Sequence, residues 1–183
     1  MLKKLKNDLK RKLEKIDRTE IVDILMFGSA VKGEPFPNDI DLCIIFRGKI
    51  NNEMLADISK RLKTFNVHIS SLSIDDFFKK PHSLIKTLLV EGISILTGKS
   101  LSENFGFRPY ALYSYNLSGI KSSHKVKFVY LVKGRNSKGF VEKLNGLWIA
   151  DSCFMIPIEH DKEILTMFRK WVVPFIRKEM LVH

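Results

Sequence analysis

Phe27-Gly28-Ser29-Ala30-Val31-Lys32-Gly33-Glu34, followed by Asn38-Asp39-Ile40-Asp41-Leu42, is the stretch on which the reading of this chain turns. Apolar runs flank it, Ile21-Val22-Asp23-Ile24-Leu25-Met26-Phe27 before and Leu42-Cys43-Ile44-Ile45-Phe46 after. Each reads as a buried strand bounded by turn signals. Residues i and i+2 of a strand share a face, so Asp39 and Asp41 are expected to project together toward whatever Gly28 and Ser29 present.

The chemistry of that arrangement follows from its parts. A glycine after a strand permits strained dihedrals and a close approach of backbone to ligand, and the serine adds a hydroxyl and an amide donor suited to phosphate oxygens. Two adjacent carboxylates repel unless a cation lies between them, and hard oxygen ligands favour Mg²⁺ or Mn²⁺ bridged to substrate phosphates. A nucleoside triphosphate (NTP) is the expected ligand of Gly28 and Ser29, with Asp39 and Asp41 holding metal. Lys32 either adds a cation near the triphosphate or is a solvated lysine.

Gly28-Ser29, nine residues, then Asp39-Ile40-Asp41 resembles the signature of the polymerase-β-type nucleotidyltransferase superfamily, in particular its minimal archaeal and bacterial members. The likeness covers roughly the first half of the chain and extends to Glu91-Gly92-Ile93-Ser94-Ile95-Leu96-Thr97-Gly98, which resembles the end of the core in those proteins. The resemblance implies that Gly28 and Ser29 contact the triphosphate and that Asp39 and Asp41 bind the metals. Many active members take a third carboxylate from a later strand. The corresponding strand here, Thr64 to Leu72, contains no Asp or Glu, and His68 stands nearest the expected place. His68 is either a general base, as a group with an unperturbed pKa of about 6.5 can be, or a strand histidine that hydrogen-bonds and packs. Asp75 and Asp76 are read as capping the next helix.

Lys and Arg total 31 against 20 Asp and Glu, a formal net charge of +11, which points to polyanionic partners. The part after Gly98 has 14 basic against 7 acidic residues, a net of +7. Hydrophobic residues make up 45% of the chain, enough for a core, with no apolar run of membrane-spanning length. The charged N-terminus does not read as a secretory signal, so a cytoplasmic protein with no membrane partner is expected. Cys43 and Cys153 suggest neither a zinc site nor a disulfide framework, and read as small buried residues.

Leu2, Leu5, Leu9, Leu13 and Ile16 predict an amphipathic first helix, whose lysines either touch phosphate or lipid or form a solvated face. Further helices are expected over 52–63 and 83–91. Polar and glycine residues from Gly98 to Gly106 mark a boundary, giving an expected nucleotidyltransferase core over 1–98 and a basic domain over 99–183. In the latter, Tyr110–Leu117 predicts a strand, the run from Ser122 a helix or a strand, Leu147–Ile158 a strand, Asp161–Trp171 a helix, and Met180–Val182 a short final strand. Lys125, Lys127, Lys133, Arg135 and Lys138, interleaved with Phe128, Tyr130 and Phe140, match the mix of cations and rings that binds single-stranded nucleic acid, or else form a solvated turn over core aromatics.

The expected class is thus α/β (α+β), a nucleotidyltransferase-type mixed sheet flanked by helices with a second small α+β domain. The expected activity is transfer of a nucleoside monophosphate from an NTP to an acceptor hydroxyl on RNA, protein or a small molecule, with release of pyrophosphate. Two alternatives stand beside it. One is a catalytically silent core that binds RNA or DNA; the other, implied by the resemblance alone, is an antitoxin-like partner of a helical toxin protein.

Overall fold

The computed structural model describes residues 2–31, 39–79 and 83–183, and the chain divides into two compact units, Met1–Gly106 and Phe107–His183. Residues 99–106 thus belong to the first unit.

In the first unit a helix, α1 (Leu2–Leu13), precedes strand β1 (Ile21–Phe27), a single 3-10 turn (Gly28–Ala30) and strand β2 (Ile40–Phe46). Then come α2 (Asn52–Leu62), β3 (Val67–Ser73), α3 (Ile74–Lys79), α4 (Ser83–Glu91) and the short β4 (Ile93–Ser94). The sheet order is β3-β2-β1-β4, with β2 and β3 parallel and the other pairs antiparallel. Such a mixed sheet needs cover on both faces, and apart from Asp23 and Asp41 its central strands are accordingly apolar rather than alternating.

One face packs Ile24, Met26, Leu42, Ile44 and Phe46 against Leu9 and Leu13 of α1 and Ile58 and Leu62 of α2. The opposite face sets Leu25, Cys43 and Ile45 against Phe77 of α3 and Leu88 of α4. Burial pushes the Cys43 thiol up to about 12, as expected of an inert core cysteine, whereas Cys153 is only half-buried. Two of the N-terminal lysines are used within the unit. Lys6 donates to the Gly98 carbonyl at 3.3 Å and Lys10 to that of Leu96 at 3.2 Å. α1 ends before Ile16, which is nonetheless buried.

The expected strand over 64–72 starts three residues later, because Asn51-capped α2 runs to Leu62 and Phe65 N–H turns back to the Leu62 carbonyl. Ser73, not an aspartate, caps α3. Its Oγ accepts from Asp76 N–H at 3.0 Å and donates to the Asp76 carboxylate at 2.8 Å, a variant of the reciprocal capping box.

The second unit contains β5 (Arg108–Tyr115), α5 (Ser122–Lys133), the single-turn α6 (Phe140–Lys143), β6 (Leu147–Ala150), β7 (Cys153–Pro157), α7 (Asp161–Trp171) and β8 (Phe175–Val182). Its sheet, in the order β6-β7-β5-β8, is antiparallel throughout. The Ser122 run is a helix, its Phe128 and Val132 stripe outweighing its β-branched content. The expected strand from Leu147 to Ile158 is a hairpin, turning at Asp151-Ser152. The final strand is eight residues long rather than three, because β5 offers a partner to every residue from Phe175 to Val182.

Tyr113, Tyr115, Phe128, Phe154 and Phe168 form the core, with Tyr113 stacked on both Phe154 and Phe168. Beside it, Arg177 grips the Asp161 carboxylate through Nε at 2.9 Å and Nη2 at 2.8 Å and reaches Glu179 at 3.0 Å. Tyr113 donates its hydroxyl to Asp161. Burial, then the neighbouring Asp161, raises the Tyr113 hydroxyl well above its ordinary range. No helix among the described residues is long and apolar enough to cross a membrane.

Candidate active site

Because β1 and β2 are antiparallel, the end of one lies beside the start of the other, and Phe27 is the ladder partner of Asp41. On the other flank of β2, Asp41 is the partner of His68 in β3. Partners in adjacent strands project to the same face. Asp41 and His68 therefore emerge together at one end of the sheet, on the face that farther along carries Cys43 and Ile45. Asp39, two residues before Asp41, joins them just ahead of the strand.

The result is a compact donor set. His68 Nδ1 lies 3.2 Å from Asp39 Oδ2 and 3.8 Å from Asp41 Oδ1. One ligand atom from each of the three residues falls within 4.8 Å of the others. The two carboxylates are about one-third exposed and the imidazole is 69% exposed, so solvent and a substrate can reach all three. His68 thus pairs with the carboxylates while most of its ring stays exposed. Among the described residues no further His, Cys, Asp or Glu joins this group.

The glycine-serine turn closes the site from β1. Gly28 adopts φ +74°, a left-handed conformation that glycine alone enters without cost. A Cβ at this position would collide with Asp41 Oδ2. The turn is held by Val31 N–H donating to the Gly28 carbonyl at 3.2 Å. In the middle of it, the Ser29 hydroxyl oxygen is buried without a hydrogen-bond partner among the described residues. An orphaned buried hydroxyl is costly in a native fold, and a phosphate oxygen would satisfy it. Lys32, with Gly33, Glu34 and Asn38, lies outside the described residues.

These observations fit a divalent cation and its phosphate ligand. Two acidic side chains and an imidazole converge from adjacent strands, beside a turn whose backbone comes against one of them. The pattern of apolar strand, Gly-Ser and spaced aspartates pointed to most of this. The juxtaposition of His68 with Asp41 depends on the parallel β2–β3 register and is expected only through the resemblance that puts His68 nearest the third-carboxylate place.

Another carboxylate on the same face is structural. Asp23 of β1 is buried and accepts from Ser94 Oγ and Ile24 N–H, both at 2.7 Å, while Ser94 Oγ accepts from Thr97 N–H at 3.0 Å. This chain of bonds ties β1 to β4. Burial holds the Asp23 carboxyl above its ordinary range despite those two donors.

Three of the five basic residues of the second half, Lys133, Arg135 and Lys138, have partners within their own unit. Lys125 and Lys127 sit two positions apart on α5, and such residues point to different sides of a helix. Lys133 pairs with Asp151 at 2.9 Å and lies over the Trp148 ring at 5.0 Å. Lys138 pairs with Glu142 at 3.2 Å. Arg135 stacks over the exposed Tyr130 at 5.0 Å. Of the three interleaved rings, only Tyr130 is exposed; Phe128 is fully buried and Phe140 packs against the core.

Comparison with known proteins agrees with the first unit. No curated protein matches the chain. Among solved structures, a chain from the tri-AMPylated HEPN toxin of Shewanella oneidensis in complex with MNT antitoxin is similar to it at 14% identity. That match covers 57% of this chain and 79% of the other with a TM-score of 0.39. The family model described as "Polymerase beta, Nucleotidyltransferase" matches residues 6–100, a span that holds the whole mixed sheet together with Gly28, Ser29, Asp39, Asp41 and His68. With just over half its length in that match, this chain belongs to the polymerase-β nucleotidyltransferase family.

Proposed function

We propose that this protein transfers a nucleoside monophosphate from an NTP to an acceptor hydroxyl. The acceptor oxygen forms a bond to the α-phosphorus, the bond from that phosphorus to the β-phosphate bridge oxygen breaks, pyrophosphate leaves and the hydroxyl proton passes to solvent or a nearby base. The observation that carries the reading is the meeting of Gly28 with Asp41, which sets a tight turn with an unsatisfied Ser29 hydroxyl against one of the two carboxylates. Asp39 and Asp41 would hold the cation. Bound there, Mg²⁺ or Mn²⁺ supplies positive charge that offsets charge developing on the reacting phosphates. Gly28 and Ser29 would orient the triphosphate, so that the transferred phosphorus is presented in one direction only.

The acceptor class is read out by incubating the chain with each α-³²P-NTP, Mg²⁺ or Mn²⁺, and total cellular RNA, DNA or protein. Label in one pool with the wild type, and in none with Asp39→Ala or Asp41→Ala, supports the reading. Label transferred equally by either variant would sink it. A polynucleotide acceptor would use the exposed Tyr130–Arg135 stack, since ring and guanidinium faces accept unpaired bases. Steeply salt-dependent RNA or DNA binding without nucleotide consumption would favour a catalytically silent core instead.

A further inference from the structure

We infer that His68 is a ligand of the metal at this site through Nδ1, and that it shifts the site's preference from Mg²⁺ toward Mn²⁺ and Co²⁺. The inference rests on the proposed metal site and concerns what distinguishes this chain's version of it.

Three observations lead there. First, the atom of the ring that faces Asp39 Oδ2 at 3.2 Å is the same atom that faces Asp41 Oδ1 at 3.8 Å. Donors about 2.1 Å from a shared ion, in adjacent positions of an octahedron, are separated by roughly 3.0 Å, so modest closure brings all three into one coordination sphere. Second, the position is set by the backbone. His68 is the ladder partner of Asp41 in a parallel pair whose register runs without a break from Ile40–Val67 to Phe46–Ser73. Third, the imidazole is 69% exposed, so packing does not account for its orientation toward the carboxylates.

The chemistry then decides the preference. A set of two carboxylates and one imidazole carries two negative charges and one borderline nitrogen donor. Mg²⁺ demands hard oxygen ligands, whereas imidazole suits transition metals. Replacing an oxygen donor by nitrogen should weaken Mg²⁺ binding relative to Mn²⁺ and Co²⁺, which tolerate the mixed set.

The test is metal binding by the full chain without nucleotide. Mn²⁺ and Mg²⁺ affinities are measured by calorimetry, with Co²⁺ followed by its visible absorption and Mn²⁺ by the nitrogen hyperfine coupling in pulsed paramagnetic resonance. Wild type, His68→Ala, His68→Asp and Asp41→Ala are compared, each checked for native thermal unfolding. Expected are a nitrogen coupling present in the wild type and absent from both His68 variants, and a Mn²⁺-to-Mg²⁺ affinity ratio that falls about tenfold in His68→Asp. A ratio and spectra unchanged by both His68 substitutions, with binding still abolished by Asp41→Ala, would overturn the inference and leave the site standing. Binding that survives Asp41→Ala would overturn the site itself, and the inference with it.

Discussion

Gly28 and Asp41 stand so close that a Cβ on residue 28 would collide with the Asp41 carboxylate oxygen and force that side chain to move. The contact joins the turn after β1 to the first residues of β2, so the phosphate-binding and metal-binding halves of the proposed site share one wall. With φ +74° the same glycine is also in a conformation that side chains disfavour.

Gly28→Ala is therefore expected to act twice. It should cost roughly 1–3 kcal/mol of stability through backbone conformation and the clash, lowering the melting temperature by several degrees. It should also displace the Asp41 carboxylate, so that nucleotidyl transfer falls at least about tenfold more than the stability loss explains. Thermal unfolding and transfer assays on the same preparation separate the two effects. An alanine variant with unchanged transfer would show that the contact is incidental.

Asp41→Asn tests the carboxylate pair. Removing one of two neighbouring negative charges relieves repulsion, so the metal-free protein should be as stable as the wild type or slightly more so, within about 1 kcal/mol. The rise in melting temperature caused by saturating Mn²⁺ should disappear, because a ligand stabilises a fold only in proportion to its binding. Differential scanning with and without Mn²⁺ reads both. A full Mn²⁺-induced rise in the variant would contradict the assignment of Asp41 as a ligand.

Asp23 gives the fold a pH dependence of definite sign. Its carboxyl is raised in the folded state above the ordinary 3.8, chiefly by burial. The protonated form is thus favoured by folding, and the associated stability is full below 3.8 and lost as pH rises through the folded value. Relative to Asp23→Asn, whose amide oxygen keeps the bonds from Ser94 and Ile24, the wild type should lose stability as pH goes from 3.8 toward neutrality. Urea unfolding of both proteins across that range measures the difference. A difference that grows in the opposite direction would refute the account.

Arg177 supports the second unit through the Asp161 fork and Glu179. Arg177→Met should cost about 1–3 kcal/mol, because it leaves the mostly buried Asp161 carboxylate with only the Tyr113 hydroxyl and no charged partner. Arg177→Lys should recover less than half of that, since an ammonium cannot reproduce the two-point contact. Denaturant unfolding monitored at Trp148 and Trp171, both in this unit, is the measurement. Equal stability of the lysine variant and the wild type would show that charge alone suffices.

Much of the site was legible because its parts are local. The apolar runs flanking Gly28-Ser29 and the two-residue spacing of Asp39 and Asp41 are features of contiguous chain, and strand periodicity converts them into a shared face. Hydrophobic spacing likewise marks α1, α2 and α7. Local pattern fails where a partner strand decides. The run from Leu147 to Ile158 is uniformly strand-like, and only pairing of Leu147 with Met155 makes it a hairpin. The first part of β8 carries no clear strand signal, because Arg177, Lys178 and Glu179 interrupt its apolar residues; β5 supplies the pairing along its whole length.

By itself, the sequence determined that a tight Gly-Ser turn would stand between two buried strands, that two carboxylates would face one way beside it, and that the chain would carry excess positive charge. Dihedral freedom, side-chain alternation and composition are properties of short segments. Only tertiary structure brought the His68 ring, expected from the resemblance to lie near this place, against Asp41, directed the charge of Lys133 to Asp151, and made Phe128 core rather than platform. Those outcomes depend on register and packing between segments separated along the chain, where each contact forms only after the cost of closing the intervening loop has been met.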